Sequence, residues 1–221
     1  INKGKKSMNI SIYFIFLVAG IGIALPYIIR AFIQNNIKKN VQKKNYTKAL
    51  ETIEGKLYRI LFGEYDQRKK QCVLLLEENS KDSIESFIQQ VSLSRISQKQ
   101  KETIFHHMYF HYLDKEDGSM CSRLLDVLKT AVSAQDIEND EMMYRIIIEK
   151  KSEDINRVQD LLKETTDSQQ KGFFQYLLGL QYWNNKQKKE ARQYFTHAKR
   201  NMKDTPYYQK VKKYLQKGVQ S

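Results

Sequence analysis

The sequence predicts an all-α protein: an N-terminal transmembrane helix, a stack of about five helical hairpins and a C-terminal capping helix. Three observations predict it. Residues Ile10 to Ile29 run for twenty positions without a charge. Only two prolines, Pro26 and Pro206, occur in 221 residues, and glycine is scarce at nine. Nothing from Tyr27 to Thr205 therefore carries the strongest helix breaker. Finally, triads of apolar or small residues recur at near-constant spacing through the polar remainder.

The apolar run comes first in the chain. At about 1.5 Å per residue it matches the roughly 30 Å hydrocarbon core of a bilayer. It exceeds the usual signal-peptide apolar region of about 7–15 residues, and no small-x-small cleavage site follows it. Tyr13 and Tyr27 stand near its two ends, where amphipathic rings suit headgroups. The expected organisation is a basic flank over 1–9, a transmembrane helix over 10–34, a helical repeat domain over 35–204, and a capping helix with tail over 205–221. The chain starts with Ile, so a domain upstream of Ile1 is left open.

The clearest local motif lies between Leu178 and Ala198, LGLQYWNNKQKKEARQYFTHA. It resembles a tetratricopeptide repeat. Leu178 and Gly179 stand at the helix-A Leu-Gly pair, and Tyr182 at the aromatic three residues on. Ala191, Phe195 and Ala198 follow in helix B. Small residues at Gly179 and Ala191 suit a close helix crossing, which Tyr182 and Phe195 would flank, and Ala198 would admit the next repeat. The family's first aromatic is replaced by Gln175, and its proline is displaced to Pro206, expected to start the final helix. The resemblance implies a right-handed stack of hairpins.

The helix-B triad at x, x+4 and x+7 recurs upstream. Ile84, Ile88 and Val91 satisfy it, as do Cys121, Leu125 and Leu128. Ala49 and Ile53 fill two places with Leu57 as substitute for the third, and Ile155 and Leu162 fill two with Val158 as substitute. First positions 49, 84, 121, 155 and 191 are separated by 35, 37, 34 and 36 residues, close to the tetratricopeptide period of about 34. Ile37, Cys72, Tyr109 and Met143 take the place of Gly179 in the earlier units, so those helices cross at wider spacing. The first helix A is expected near Ala31 to Gln42, running on from the anchor, and its helix B begins near Tyr46. The later pairs are expected over Glu64 to Val91, Lys99 to Val132 (turning at 114–118), Ile137 to Glu164 and Ser168 to Met202. A capping helix follows over Tyr207 to Lys217, with Lys210, Lys212, Lys213 and Lys217 outward.

The side chains offer few chemical sites. Two cysteines, Cys72 and Cys121, make no disulfide framework and no metal spacing, and both fall on apolar faces as buried free thiols. His107, His111 and Asp114 share a helix face, but no further ligand accompanies them, and flanking Tyr109, Phe110 and Tyr112 mark a half-buried aromatic face instead. No metal and no cofactor are expected. The six tyrosines Tyr176, Tyr182, Tyr194, Tyr207, Tyr208 and Tyr214 suit inter-helix packing better than an interaction surface. Phosphate loops, nucleophile elbows and paired carboxylates are all missing, and a hairpin stack offers grooves rather than converging catalytic groups, so the protein is not expected to be an enzyme.

Charge is the other broad feature. The formal net charge is +13. Setting aside Lys3, Lys5, Lys6 and Arg30 leaves 34 of the 38 basic residues against all 25 acidic ones, a surplus of +9 beyond the anchor. Lys38, Lys39, Lys43 and Lys44 form a basic patch near the expected membrane, suited to anionic headgroups.

The resemblance implies a scaffold that binds a protein or peptide in its groove, and the apolar run adds the anchor, so the expected function is to recruit or assemble a complex at a bacterial membrane. Its partners would be that protein and the bilayer, with anionic lipid or wall polymer as further candidates. Nucleic acid is not expected, and homo-oligomerisation is left open. One alternative is the extracytoplasmic sensor or assembly half of a longer signalling or secretion protein, similar in layout to a membrane subunit of type VII secretion machines. Another is a surface protein that binds anionic polymers. For sidedness, the cations after the anchor outnumber those before it, which favours a cytoplasmic domain. Long domains translocate largely regardless of charge, however, and a short basic lead usually precedes an exported remainder. A single-pass cell-membrane protein with an extracytoplasmic repeat domain is expected.

Overall fold

The computed structural model describes residues 3–130, 134–203, 205 and 207–217, with side chains from residue 22 on except at 131–136 and 217. Among the described residues there are twelve helices and no strand, so the protein is all-α. The helices are α1 (Lys3–Gln42), α2 (Tyr46–Glu54), α3 (Lys56–Phe62), α4 (Glu64–Glu78), α5 (Lys81–Leu93) and α6 (Gln98–Asp114). They continue with α7 (Gly118–Leu128), α8 (Ala134–Ile147), α9 (Ile155–Glu164), α10 (Ser168–Asn184), α11 (Lys188–Asn201) and α12 (Tyr207–Lys217). The chain divides into two compact units, Ile1–Ile104 and Phe105–Ser221.

The transmembrane helix is corrected. No helix among the described residues is long and apolar enough to cross a membrane. The described apolar part of α1 reaches only from residue 22 to Ile29 before Arg30, Gln34, Asn35, Asn36 and Lys38 make the helix polar. The side chains of the rest of the Ile10–Ile29 run, and of the basic flank with Lys3, Lys5 and Lys6, lie outside the described residues. What α1 does in the described part is pack. Ile33 is buried with Ala49, Ile53, Tyr58 and Leu74, and Ile29, Ile37 and Val41 pack against that cluster. This is an amphipathic stripe at helical spacing, closing the core of the first unit.

Five hairpin turns share one stopping device. The only non-glycine residues with positive φ among those described are Lys44, Asn79, Glu116, Lys150 and Lys186, at 56° to 62°. Each ends a helix (α1, α4, α6, α8, α10) in the left-handed conformation that returns the last amides to the preceding turn. Asn45 N–H thus reaches Asn40 C=O at 2.9 Å, Asp117 reaches Tyr112 at 3.0 Å and Gln187 reaches Tyr182 at 2.9 Å. Each left-handed residue precedes a first triad position (49, 84, 121, 155, 191) by five. The stops therefore recur at the same 35, 37, 34 and 36 residues.

Three of the five triads are buried throughout: Ile84, Ile88 and Val91; Cys121, Leu125 and Leu128; and Ala191, Phe195 and Ala198. The other two depart from expectation. Ala49 and Ile53 are buried, but Leu57 is 53% exposed. The reason is that α2 ends at Glu54 and Gly55 turns extended (ψ 141°), so Leu57 belongs to α3, a helix the sequence pattern did not predict. Tyr58 takes the inward place, donating to Asp66 Oδ2 at 2.5 Å and stacking on Phe62. Arg30 fastens the same helix to α1, donating to Leu61 C=O and lying over the Phe62 ring.

In the fourth pair Ile155 and Leu162 are only half-buried and Val158 is fully buried. Here helix B starts late. Ile155 is the first residue of α9, whereas Ala49, Ile84, Cys121 and Ala191 are each the fourth of theirs. A polar clamp replaces the missing turn: Arg145 grips both oxygens of Asp154 at 2.7 and 3.0 Å, Asp154 N–H reaches Gln181 Oε1, and the Ser152 hydroxyl reaches Gln181 C=O. The third pair was expected to run to Val132, but α7 ends at Leu128 and 131–133 lie outside the described residues, as does Pro206.

Candidate protein-interaction sites

In the second unit α10 and α11 cross at glycine. A Cβ at Gly179 would lie 2.6 Å from both Cδ1 and Cε1 of Phe195, whose ring thus lies on the bare backbone. Leu178, Ala191 and Ala198 are fully buried around it. Tyr182 is half-buried and stacks on Tyr194, with centroids 5.3 Å apart, rather than on Phe195. A second close approach went unread: Gly172 faces Met202 and Asn201, one full heptad before Gly179 on the same face. The signal was the G-x6-G spacing itself.

The earlier equivalents of Gly179 are Ile37, half-buried, and Cys72, Tyr109 and Met143, buried. Both cysteines are free and buried, and burial pushes each thiol up to about 12. Ile84 and Cys121 are fully buried, like Ala49. All of these are packing positions.

The histidines do not converge. His106 Nε2 lies 2.8 Å from the buried Asp140 carboxylate, and Tyr109 donates to Asp140 C=O. His107 is exposed. Burial lowers the His111 pKa, helped by the charges of Lys115 and His107, with Asp114 opposing. Asp114 instead faces Lys210 of α12, 3.1 Å away. No group of three metal-binding side chains occurs among the described residues.

The aromatic residues of the second unit are used internally by α12. Tyr207 packs on Phe173 and Tyr176, and Tyr214 stacks on Phe195 and meets Trp183 edge-on. Val211 is fully buried between them. Burial, with Asp114 adding, pushes the Tyr207 hydroxyl up to about 12. Tyr176, Tyr207 and Tyr214 are therefore inter-helix packing residues, and Tyr182 and Tyr194 stack on each other between α10 and α11.

In the first unit a groove remains open. It encloses 640 Å³ between α1 and α4, with Ile53 and Tyr58 at its base. Ile37, Val41 and Leu74 line it with Val73, which is 37% exposed. Gln34, Asn35, Lys38, Lys70 and Glu77 form its edge. An apolar floor with a polar rim is the form that receives an apolar side-chain row of a helix or peptide. Of the basic patch, Lys38 belongs to this rim. Lys39, Lys43 and Lys44 are exposed around the end of α1, where cations also favour the helix dipole. A second surface is the outer side of α11, a basic depression of 560 Å³ lined by Lys188, Lys189, Arg192, Gln193, Thr196, His197 and Arg200.

No protein family, curated protein or solved structure matches this chain.

Proposed function

We propose that this protein acts by binding rather than by catalysis, as a helical-hairpin scaffold of the tetratricopeptide kind that holds a partner protein or peptide. The apolar groove between α1 and α4 carries the reading, because Ile37, Val41 and Leu74 line it above the buried Ile53 and Tyr58 yet Val73 is left partly open to solvent. Burying one further large apolar side chain there would contribute about 1.5–3 kcal/mol. That is enough for two or three anchors of a partner helix to give a specific complex. The repeating left-handed stops and the Gly179–Phe195 crossing support the tetratricopeptide kinship.

The test is a photo-crosslinking residue at Val73, compared with one at the exposed Lys99 away from the groove. A protein captured in cells at position 73 and not at 99, and lost when Leu74→Ala opens the floor, is the expected result. Capture that is equal at both positions, or absent at 73, would exclude the groove as the binding site.

A further inference from the structure

We propose that the outer face of α11 is a second binding surface, one that takes an acidic protein segment whose carboxylates repeat at helical pitch. The proposal rests on the scaffold reading only in taking a protein as the partner. At 100° per residue, the side of α11 opposite Ala191, Phe195 and Ala198 carries Lys189, Gln193 and Arg200, with Thr196 and His197 to either side, Arg192 on the flank and Lys188 at the edge of the same depression. Glu190, the helix's sole acidic residue, does not line the depression.

Several other cations of the second unit are matched to carboxylates. Lys129 meets Glu141 at 3.1 Å, Arg145 meets Asp154 at 2.7 Å, Lys150 meets Glu116 at 2.7 Å and Lys163 meets Asp160 at 2.8 Å. Lys188, Lys189, Arg192 and Arg200 form no ion pair among the described residues. Lys188 and Lys189 stand four and three residues before Arg192, the spacings at which like charges on a helix repel. Among the described residues this cluster of like charges has no ion pair to offset it, a local conflict of the sort found at functional surfaces.

The chemistry of the face selects among anions. Arg192 and Arg200 present planar guanidinium forks that can take a carboxylate with two parallel hydrogen bonds. They stand eight residues apart, two steps of about 6 Å along the helix, the step at which Glu or Asp at i and i+4 recurs on a partner helix. The lining carries no Phe, Tyr or Trp, the large rings on which successive single-stranded bases stack. None of its side chains is a large apolar group that would enter a bilayer interface.

The full chain is titrated into a fluorescent alanine-glutamine helical peptide of about 15 residues with Glu at every fourth position, at low salt, and anisotropy is read. Combined Lys189→Glu, Arg192→Glu and Arg200→Glu substitution should weaken binding at least about tenfold. The neutral set Lys189→Gln, Arg192→Gln and Arg200→Gln should fall between. A control of equal charge change, Lys43→Glu with Lys48→Glu and Lys99→Glu, should shift affinity less than about twofold, since those charges lie outside the face. All six positions in the two sets are exposed, and an unchanged circular dichroism melt verifies folding. Equal loss in the control would show that net charge alone binds the peptide and would overturn the proposal. So would no binding by the unaltered chain, or tighter binding of oligothymidylate or anionic vesicles than of peptide through these residues. Val73→Glu should leave the peptide affinity unchanged, so this surface and the α1–α4 groove fail or stand separately.

Discussion

Gly172 and Gly179 stand seven residues apart on α10, and each allows the following segment to approach bare backbone. Helix propensity alone would favour alanine over glycine by about 1 kcal/mol. At Gly179 the added Cβ meets two atoms of the Phe195 ring at 2.6 Å, and that ring is 1% exposed, so it has no room to retreat. Gly179→Leu should destabilise the second unit by about 1–3 kcal/mol, whereas Met143→Leu, which conserves volume, should cost less than about 1.5 kcal/mol. Urea unfolding measures both, and equal losses would place Gly179 away from a tight crossing. His111 yields a prediction of a different sort. Its Nε2 is buried without a hydrogen-bond partner and its folded pKa lies below 6.5. Above pH 6.5 both folded and unfolded forms are neutral and it contributes no pH dependence. As pH falls below 6.5 the unfolded chain takes up the proton first, so stability declines until the lowered folded pKa is passed. His111→Phe should flatten the fall in urea midpoint between neutral pH and the acid range; an unchanged slope would assign the dependence to other groups.

At the scale of elements, α12 closes the second unit through apolar contact more than through charge. Val211 is fully buried, while the Lys210–Asp114 pair is partly exposed on both sides. Val211→Ala removes two buried methyl groups and should cost about 2 kcal/mol, and Lys210→Met should cost less than about 1 kcal/mol. Comparing the two urea midpoints checks the order, and a larger loss at Lys210 would show that the ion pair holds the helix. The α8–α9 hairpin shows a related substitution of one device for another. The first turn of helix B is absent there, and the Arg145–Asp154–Gln181 clamp occupies its place. The triad pattern marked Ile155 because the left-handed stop at Lys150 kept the repeat in register. The helix itself begins too late for Ile155 to be buried. Helix α3 escaped the pattern for a similar reason: Lys56–Phe62 is seven residues long, too short for periodicity to distinguish it from a loop.

Over the whole molecule, the two units each hold one buried thiol, Cys72 in the first and Cys121 in the second. Burial raises both pKa values to about 12, so neither offers thiolate at neutral pH. Iodoacetamide should label neither in the native protein, and labelling read by mass spectrometry across a denaturant series should report the unfolding of each unit by its own cysteine. Rapid native-state labelling of either would mean that its helix opens far below the global transition. The same chain presents two separate surfaces, an apolar groove in the first unit and a basic helix face in the second.

Local order was legible in the residues because it depends on short-range rules. The scarcity of proline and glycine fixed the helical class, and apolar spacing located the helices of the hairpins. The 35-residue recurrence anticipated five turns that the backbone closes with left-handed residues, although Lys44, Glu116, Lys150 and Lys186 carry no sequence mark of that conformation. The apolar run of α1 was legible too, yet a run of this kind does not distinguish a membrane span from a packed helix. In the described part it is the neighbours of Ile33 and Ile37 that define its role. Both candidate surfaces were decided by tertiary structure. A groove exists only where two helices leave space beside Val73, and the cations of α11 become one face only once Ala191, Phe195 and Ala198 have turned the other side of that helix into the core.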